Sequence, residues 1–181
     1  MSYLRSFFKF VCDNLSFLLT SLLVVLVIRS FIIQPFFVVG ASMEPNFESG
    51  DYLIVDELSY FLRPPKRGEV IVFHPPSKAE DYYIKRIVGL PGETVMVKNG
   101  QVHLRNSAES EWVLLEEKYQ VNGYTDGDLN QNLAPNEYFV LGDHRSASAD
   151  SRYFGAVPKK SIIGRALLRG FPFNKITLFK Y

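Results

Sequence analysis

Cysteine is almost absent from this chain, whose 181 residues include only Cys12. A single cysteine excludes an internal disulfide framework and any cysteine-rich zinc site. Histidine is also scarce, since His74, His103 and His144 lie far apart and none belongs to a His-x-x-x-His pattern. We therefore expect no metal and no other cofactor, although aspartate and glutamate ligands leave a metal site open at this point.

A large net charge of either sign is missing as well. Lysine and arginine number 20, aspartate and glutamate number 19, and the net charge is +1. Nucleic-acid-binding domains usually carry a clear basic excess, so we expect no nucleic-acid partner. The low net charge, together with 47% hydrophobic residues, excludes disorder of the whole chain and fits one domain with an attached segment.

Charged residues are rare near the N-terminus, where the run Leu15 to Ile28 has 14 uncharged residues. Extending the run to Ile33 gives 19 residues, and the side chain of Arg29 within them can reach the lipid headgroups. Leucine, valine and isoleucine would occupy every face of such a helix. We predict one membrane-spanning helix within residues 1–34 and a separate domain over residues 35–181.

Two alternatives for this run are a buried core helix and a cleaved secretory signal peptide. The lack of an amphipathic stripe disfavours the core helix. Val39-Gly40-Ala41 resembles a cleavage site, but 12 residues, several of them apolar, separate Ala41 from the run. Arg5 and Lys9 precede the run, so the positive-inside rule favours a cytoplasmic N-terminus and an exported domain.

Beyond the apolar run, the pattern is one of short strands and turns. The predicted strands are Phe36–Val39, Tyr52–Val55, Glu69–Phe73, Tyr82–Val88, Thr94–Lys98, Gln101–Leu104, Glu137–Leu141 and Gly164–Gly170. Asn99-Gly100 predicts a tight hairpin between two of them. Residues 105–135 are polar and predicted to be irregular, and no helix longer than two turns is expected after residue 34. The domain is therefore predicted to be mainly β.

Two clusters in this domain contain residues suited to nucleophilic chemistry. Ser42 follows the strand that ends at Gly40, although serines in such places more often form local hydrogen bonds. Lys85 and Arg86 point to opposite faces of one strand, so one of them must face inward or be specially placed. A desolvated lysine has a lowered pKa and can take a proton from a serine, whereas a solvated salt bridge is the simpler explanation.

A third cluster is the glycine-bounded run from Gly142 to Gly155, which is dense in hydroxyls, carboxylates and arginines. Such a run can form a polar network that holds another site in place, and a solvated loop is the alternative. The spacing of an EF-hand calcium loop is absent.

Together, these clusters resemble the motifs of type I signal peptidases (leader peptidases), the membrane-bound Ser/Lys proteases of bacteria. The matching stretches are Ser42-Met43-x-Pro45, Arg67–Phe73, Tyr83–Glu93 and Gly142-Asp143-x-x-x-x-Ser148-x-Asp150-Ser151-Arg152-x-x-Gly155. Four motifs in the right order after an apolar segment make a specific match.

The resemblance implies that Ser42 is the nucleophile and Lys85 the general base. It assigns the hydroxyl that orients this lysine to Ser148, and the polar network behind the site to Asp143, Asp150 and Arg152. It also implies a mostly β domain with a coiled, barrel-like core, on the exported side of the bacterial cytoplasmic membrane. The one predicted span makes the chain single-pass and separates it from family members with two spans. The implied partners are the lipid bilayer and the signal peptides of secreted pre-proteins, cut after Ala-x-Ala or similar small residues.

The sequence departs from this family at two positions of the site. Gly40 stands where many members have a serine whose hydroxyl helps to form the oxyanion hole. Gly40→Ser is then expected to raise kcat, unless Gly40 has a positive φ, in which case serine would strain the turn. His144 stands where asparagine is commoner and is interpreted as a tolerated structural change.

Two other functions remain open. One is a specialised peptidase of the same Ser/Lys clan, of the conjugative-transfer or pilin-processing type. The other is a membrane-tethered β domain that binds a partner without catalysis.

Overall fold

The structure, a computed structural model, describes residues 2–31, 33–120 and 124–181. An N-terminal helix is followed by a chain built mainly of antiparallel strands. The helices are α1 (Ser2–Phe31), α2 (Leu58–Leu62) and α3 (Ser151–Phe154). The strands are β1 (Ile33–Phe37), β2 (Tyr52–Asp56), β3 (Val70–Phe73), β4 (Tyr83–Gly89), β5 (Thr94–Lys98), β6 (Gln101–Arg105), β7 (Val113–Leu114), β8 (Leu129–Asn132), β9 (Glu137–Leu141), β10 (Val157–Pro158), β11 (Ile162–Phe171) and β12 (Thr177–Leu178).

Helix α1 lies where the apolar run predicts a helix. Many of its described side chains are exposed, among them Phe17 at 74% and Leu23 at 62%. Within the described residues, however, no helix is both long and apolar enough to cross a membrane. The membrane span predicted within residues 1–34 includes Ile32, which lies outside the described residues, and the span stays a prediction.

The main sheet orders its strands β1-β2-β11-β3-β4-β9-β10, and β12 pairs with β11. Every neighbouring pair is antiparallel. Breaks in register curl this sheet, because β11 shifts against β2 between Ala166 and Leu168, and β4 shifts against β9 between Ile87 and Gly89. The mainly β fold predicted from the sequence is confirmed.

A smaller sheet orders its strands β7-β6-β5-β8. The hairpin between β5 and β6 turns at Asn99 and Gly100, whose φ angles are 52° and 78°. Positive φ at both turn residues is what a two-residue hairpin of this kind requires, and the predicted hairpin is confirmed. Strands β7 and β8 lie inside residues 105–135, which the sequence predicts to be irregular. That prediction is wrong for these strands, which are too short and too exposed to show an apolar alternation.

Apolar residues cover both faces of the central strands of the main sheet. On β3, Val70 packs in one core cluster with Phe47, whereas Ile71 packs in another with Val140. All four residues of β3 are buried. The adjacent strand β4 is covered in the same way from its third residue onward, so polar side chains on either of its faces lie inside the domain.

Candidate active site

Ser42 lies in the turn between β1 and β2. Gly40 opens this turn with a φ of 94°, a conformation that residues with a side chain rarely adopt. Met43 and Phe47 are each 1% exposed, and the Phe47 N–H donates to the Met43 carbonyl oxygen at 2.9 Å. These two buried residues anchor the turn in the core and hold the half-buried Ser42 beside the sheet.

Lys85 on β4 reaches this serine from the main sheet. Its Nζ lies 2.7 Å from Ser42 Oγ and 2.8 Å from the carbonyl oxygen of Ile84. The side chain is deeply buried, since Lys85 is only 4% exposed. Two residues that the sequence places in separate motifs are thus in direct hydrogen-bond contact.

Burial changes the acidity of this lysine. Desolvation disfavours the ammonium form and lowers the pKa of Lys85 from 10.5 to about 8. The negative charges of Asp150 and Asp143 oppose the shift without cancelling it. Across the described parts of the chain, none of the ion pairs involves Lys85. The lowered pKa predicted from the apolar strand is confirmed in direction, and the alternative of a solvated salt bridge is wrong.

Arg86, the next residue along β4, forms an ion pair with Asp143. Its Nε and Nη2 donate to the two carboxylate oxygens at 2.8 and 2.6 Å, and its Nη1 donates to the Gly68 carbonyl at 2.8 Å. Arg86 is 8% exposed and Asp143 is 2% exposed. The sequence predicts that Lys85 and Arg86 point to opposite faces of one strand and that one of them faces inward or is specially placed. The structure buries both Lys85 and Arg86, because this sheet is covered on both faces.

Asp150 and Arg152 hold the loop after β9 in shape. Asp150 Oδ2 accepts from the Gly142 N–H at 3.0 Å, and its Oδ1 accepts from Arg152 Nε at 2.8 Å. Arg152 Nη2 also donates to the Arg145 carbonyl at 2.5 Å and to the Ser148 carbonyl at 3.4 Å. The polar network predicted for this loop is therefore present, with Asp150 fully buried at its centre.

Ser148 is 6% exposed within this loop. Its Oγ has no hydrogen-bond partner among the described residues, so the bond to Lys85 that the resemblance implies is not formed here. The side chain lies against Gly142, where an added Cβ would collide with Ser148 Oγ and would lie 2.5 Å from the Ser42 carbonyl oxygen. Only glycine fits at this close contact between the loop and the turn that carries Ser42.

Two residues that sequence reasoning missed complete the site. Asn46 Nδ2 donates to Asp143 Oδ2 at 3.0 Å and to the Tyr119 carbonyl at 2.8 Å. The Tyr119 ring lies 4.1 Å from the guanidinium carbon of Arg86. The closeness of Asn46 to Ser42 in the sequence could have indicated that Asn46 belongs to the site. Tyr119 offers no such signal, because it lies in the stretch that the sequence predicts to be irregular.

A groove of about 460 Å³ runs past Ser42 and Lys85. Its lining is mostly apolar and includes Phe36, Val38, Ala41, Ile84, Ala147 and Ala149. A larger cavity, of about 890 Å³, is lined by neither Ser42 nor Lys85, so the candidate site is the smaller groove. Among residues 2–31, 33–120 and 124–181, no cluster of histidine, cysteine, aspartate or glutamate side chains is placed to hold a metal ion.

The arrangement of these groups suits covalent catalysis of acyl transfer. A serine hydroxyl in contact with a buried amine of lowered pKa can lose its proton to that amine as it attacks a carbonyl carbon. The groove beside it has room for a short stretch of extended peptide.

The chain is similar to known proteins of one family. A family model described as "Signal peptidase, peptidase S26" matches residues 11–171. The probable signal peptidase I-1 of Synechocystis sp. is 35% identical over 92% of this chain and 86% of that protein. The signal peptidase I of Leptolyngbya laminosa is 38% identical over 86% of this chain and 77% of that protein. A solved signal peptidase I from Enterococcus faecalis is 32% identical, with a TM-score of 0.47, and the match covers 57% of this chain and 97% of that one.

The family match spans most of the chain, and the relatives align over most of their own length. The resemblance drawn from the four sequence motifs is thereby confirmed. The chain belongs to the signal peptidase family, peptidase S26, and is a serine peptidase.

Proposed function

We propose that this chain removes the signal peptides of exported pre-proteins, with Ser42 as the nucleophile and Lys85 as the general base. The observation that carries the proposal is the 2.7 Å contact between Lys85 Nζ and Ser42 Oγ in a buried site. The relatives named signal peptidase I support the reaction, and the lowered pKa of Lys85 supports its role as the base.

In the proposed reaction, the neutral amine of Lys85 takes the hydroxyl proton of Ser42 while Oγ attacks the scissile carbonyl carbon. The carbonyl electron pair moves onto oxygen and gives a tetrahedral intermediate. When the intermediate collapses, the C–N bond breaks and the Lys85 ammonium gives its proton to the leaving amine. A water molecule then attacks the acyl-enzyme with Lys85 again as the base, which releases the signal peptide and restores Ser42.

The negative oxygen of the intermediate needs a hydrogen-bond donor. The backbone N–H of Ser42 is available for this role, since no described residue accepts a hydrogen bond from it. Gly40 has no side chain to add a second donor. Its contribution to the site is the positive φ that shapes the turn.

Four further residues support the pair. Asp143 fixes the strand that carries the lysine, while Asp150 and Arg152 fix the loop that carries Ser148. The Ser148 hydroxyl is buried and has no partner among the described residues. It is available to accept a hydrogen bond from the lysine once the amine becomes an ammonium.

The shape of the groove supports a preference for small residues. Side chains two positions apart in an extended peptide point to the same side. Two alanines in an Ala-x-Ala segment would therefore face the same apolar wall next to Ser42, in a groove of about 460 Å³.

We further propose that the domain works against a lipid bilayer, on the exported side of the bacterial cytoplasmic membrane. Exposed apolar side chains beside the groove support this, with Phe37 at 68% and Val39 at 86% exposure. Phe173, after the end of β11, is 77% exposed, and many side chains of α1 are exposed and apolar as well. The cytoplasmic position of the N-terminus stays a prediction.

The test of this function is cleavage of a synthetic peptide that spans an Ala-x-Ala site by the purified full chain, with the masses of the products recorded. Ser42→Ala and Lys85→Met should each lower turnover by about 10⁴-fold or more while circular dichroism still shows a folded domain. Ser110→Ala and Lys98→Met change exposed residues of the same types and serve as matched controls that keep wild-type turnover.

Each outcome of this experiment has a separate meaning. A folded wild-type chain that does not cut the peptide at the small residues would reject the proposed function. A folded Ser42→Ala or Lys85→Met variant with substantial turnover would remove that residue from the mechanism.

A further inference from the structure

His144 contacts the backbone on both sides of the nucleophile. Its ring Nδ1 lies 3.2 Å from the Ala41 carbonyl oxygen, and its own N–H donates to the Ser42 carbonyl oxygen at 3.1 Å. The residue directly before it, Asp143, is held by the ion pair with Arg86. The ring of His144 thus follows directly on a residue that a buried ion pair holds in place.

The partner of the ring determines the direction of the hydrogen bond. A carbonyl oxygen only accepts, so this contact is a hydrogen bond when Nδ1 carries the proton. Both the Nδ1-protonated neutral ring and the imidazolium meet that condition. In either form, His144 donates to the Ala41 carbonyl.

The Ala41 carbonyl and the Ser42 N–H belong to the same planar peptide unit, so fixing the oxygen also fixes the direction of the N–H. The oxygen receives two donors, the His144 ring and the Glu44 N–H, each at 3.2 Å. No described residue accepts from the N–H at the other end. Donors on a carbonyl oxygen polarise the amide and make its N–H a stronger donor.

We propose that His144 is a positioning residue, which orients and polarises the Ser42 N–H that stabilises the oxyanion. The inference rests on the proposed function, because the oxyanion arises only in that reaction. The effect matters here because Gly40 offers no side-chain donor, so the backbone N–H carries more of the stabilisation. A charge that develops only in the transition state affects kcat, and KM changes little.

A matched pair of substitutions tests this role. Asparagine and leucine have nearly the same shape, but only asparagine has an N–H to offer the Ala41 carbonyl. His144→Leu should lower kcat by about 10-fold, less than the 10²–10³-fold typical for loss of a direct oxyanion donor, because the Ser42 N–H itself remains. His144→Asn should recover most of that loss.

A second readout separates this role from a merely structural one. A peptide boronic acid forms a tetrahedral adduct with a serine nucleophile, whereas the cleaved signal peptide binds without such an adduct. In His144→Leu, the inhibition constant of the boronic acid should rise by the factor by which kcat falls, and that of the cleaved peptide should stay unchanged.

The result that overturns the proposal is a folded His144→Leu enzyme whose kcat and boronic acid affinity equal those of the wild type. A kcat that His144→Asn fails to restore, or a loss shared equally by boronic acid and cleaved peptide, also overturns it. If the leucine variant does not fold, His144→Ala replaces it, since alanine also lacks a donor. The wild-type chain is assayed alongside, and its failure to cleave the peptide would reject the proposed function itself.

Discussion

Arg86 and Asp143 form a bidentate ion pair that joins the strand of Lys85 to the loop of Ser148. Their side chains are 9% and 0% exposed, and the two contacts measure 2.8 and 2.6 Å. Asn46, from the turn that holds the serine, donates to the same carboxylate at 3.0 Å. One buried carboxylate therefore connects the three parts of the chain that form the site.

We expect Asp143→Ala to lower the free energy of unfolding by about 3–5 kcal/mol, because it leaves the buried guanidinium of Arg86 without its partner. Replacing both residues, with Arg86→Met and Asp143→Leu together, should cost less than Asp143→Ala alone, because no buried charge is left unpaired. Urea unfolding of the purified variants measures both effects.

The control for this prediction is Asp81→Ala, which breaks the exposed pair between Lys78 and Asp81. The two groups lie 3.9 Å apart, with side chains 67% and 49% exposed. The unfolding free energy of the Asp81→Ala variant should differ from that of the wild type by less than about 1 kcal/mol. An Asp143→Ala variant as stable as this control would contradict the structural role of the buried pair.

The pairing of Ser42 with Lys85 could be predicted from the sequence, whereas the burial of Arg86 on the opposite face of the same strand could not. The motifs and the apolar neighbours of Lys85 predict a lysine with a lowered pKa next to a serine. The alternation along one strand does not show that the opposite face is covered too, because the residues that cover it come from distant parts of the chain. Arg86 is buried for that reason.

The contacts that residues 105–135 make with the candidate site could not be predicted from the sequence. Glu117 accepts from Arg145 Nη1 at 2.9 Å, with side chains 8% and 3% exposed, and Tyr119 packs over Arg86. Polar residues in a stretch without periodicity give no sign of such contacts. Their partners are fixed by the path of the loop across the domain and not by local preference.

The activity should depend on pH through Lys85. The pKa of this lysine is lowered to about 8 by burial, and only its neutral form accepts the serine proton. Below pH 8, kcat/KM should rise by about tenfold for each pH unit, and above it the rate should level off. Initial rates on the Ala-x-Ala peptide between pH 6 and 10 measure this profile. A rate independent of pH below 8 would rule out Lys85 as the base.

The same lowered pKa should make the wild-type protein less stable than a Lys85→Met variant at neutral pH. The pKa falls from 10.5 to about 8 on folding, so between these values the unfolded chain binds a proton that the folded chain does not. Stability therefore rises as pH increases across this window, and below it the folded state bears a cost of about 3 kcal/mol.

Lys85→Met removes that cost, so its excess stability at pH 7 should be up to about 3 kcal/mol and should shrink towards pH 10.5. Urea unfolding of both proteins at several pH values measures the difference. A methionine variant less stable than the wild type at pH 7 would show that the contacts of the amine outweigh its desolvation.

The structure decides between the two outcomes that the sequence leaves open for Gly40. Its φ is 94°, and an added Cβ would meet nothing within 4 Å, so a side chain here is opposed by backbone strain and not by collision. Strain of this kind costs about 1–2 kcal/mol for a residue with a Cβ. We therefore expect Gly40→Ser to lower stability and kcat rather than to raise kcat.

Gly40→Ala is the matched control, because it has the same backbone strain without a hydroxyl. Both variants should lose about 1–2 kcal/mol of unfolding free energy, and serine should keep a higher kcat than alanine only if its hydroxyl reaches the oxyanion. Melting temperatures and kcat values of the two purified variants measure the strain and the hydroxyl effect separately. A Gly40→Ser enzyme with wild-type stability and a raised kcat would mean that the turn adapts to a side chain, and that the positive φ of Gly40 is not required for catalysis.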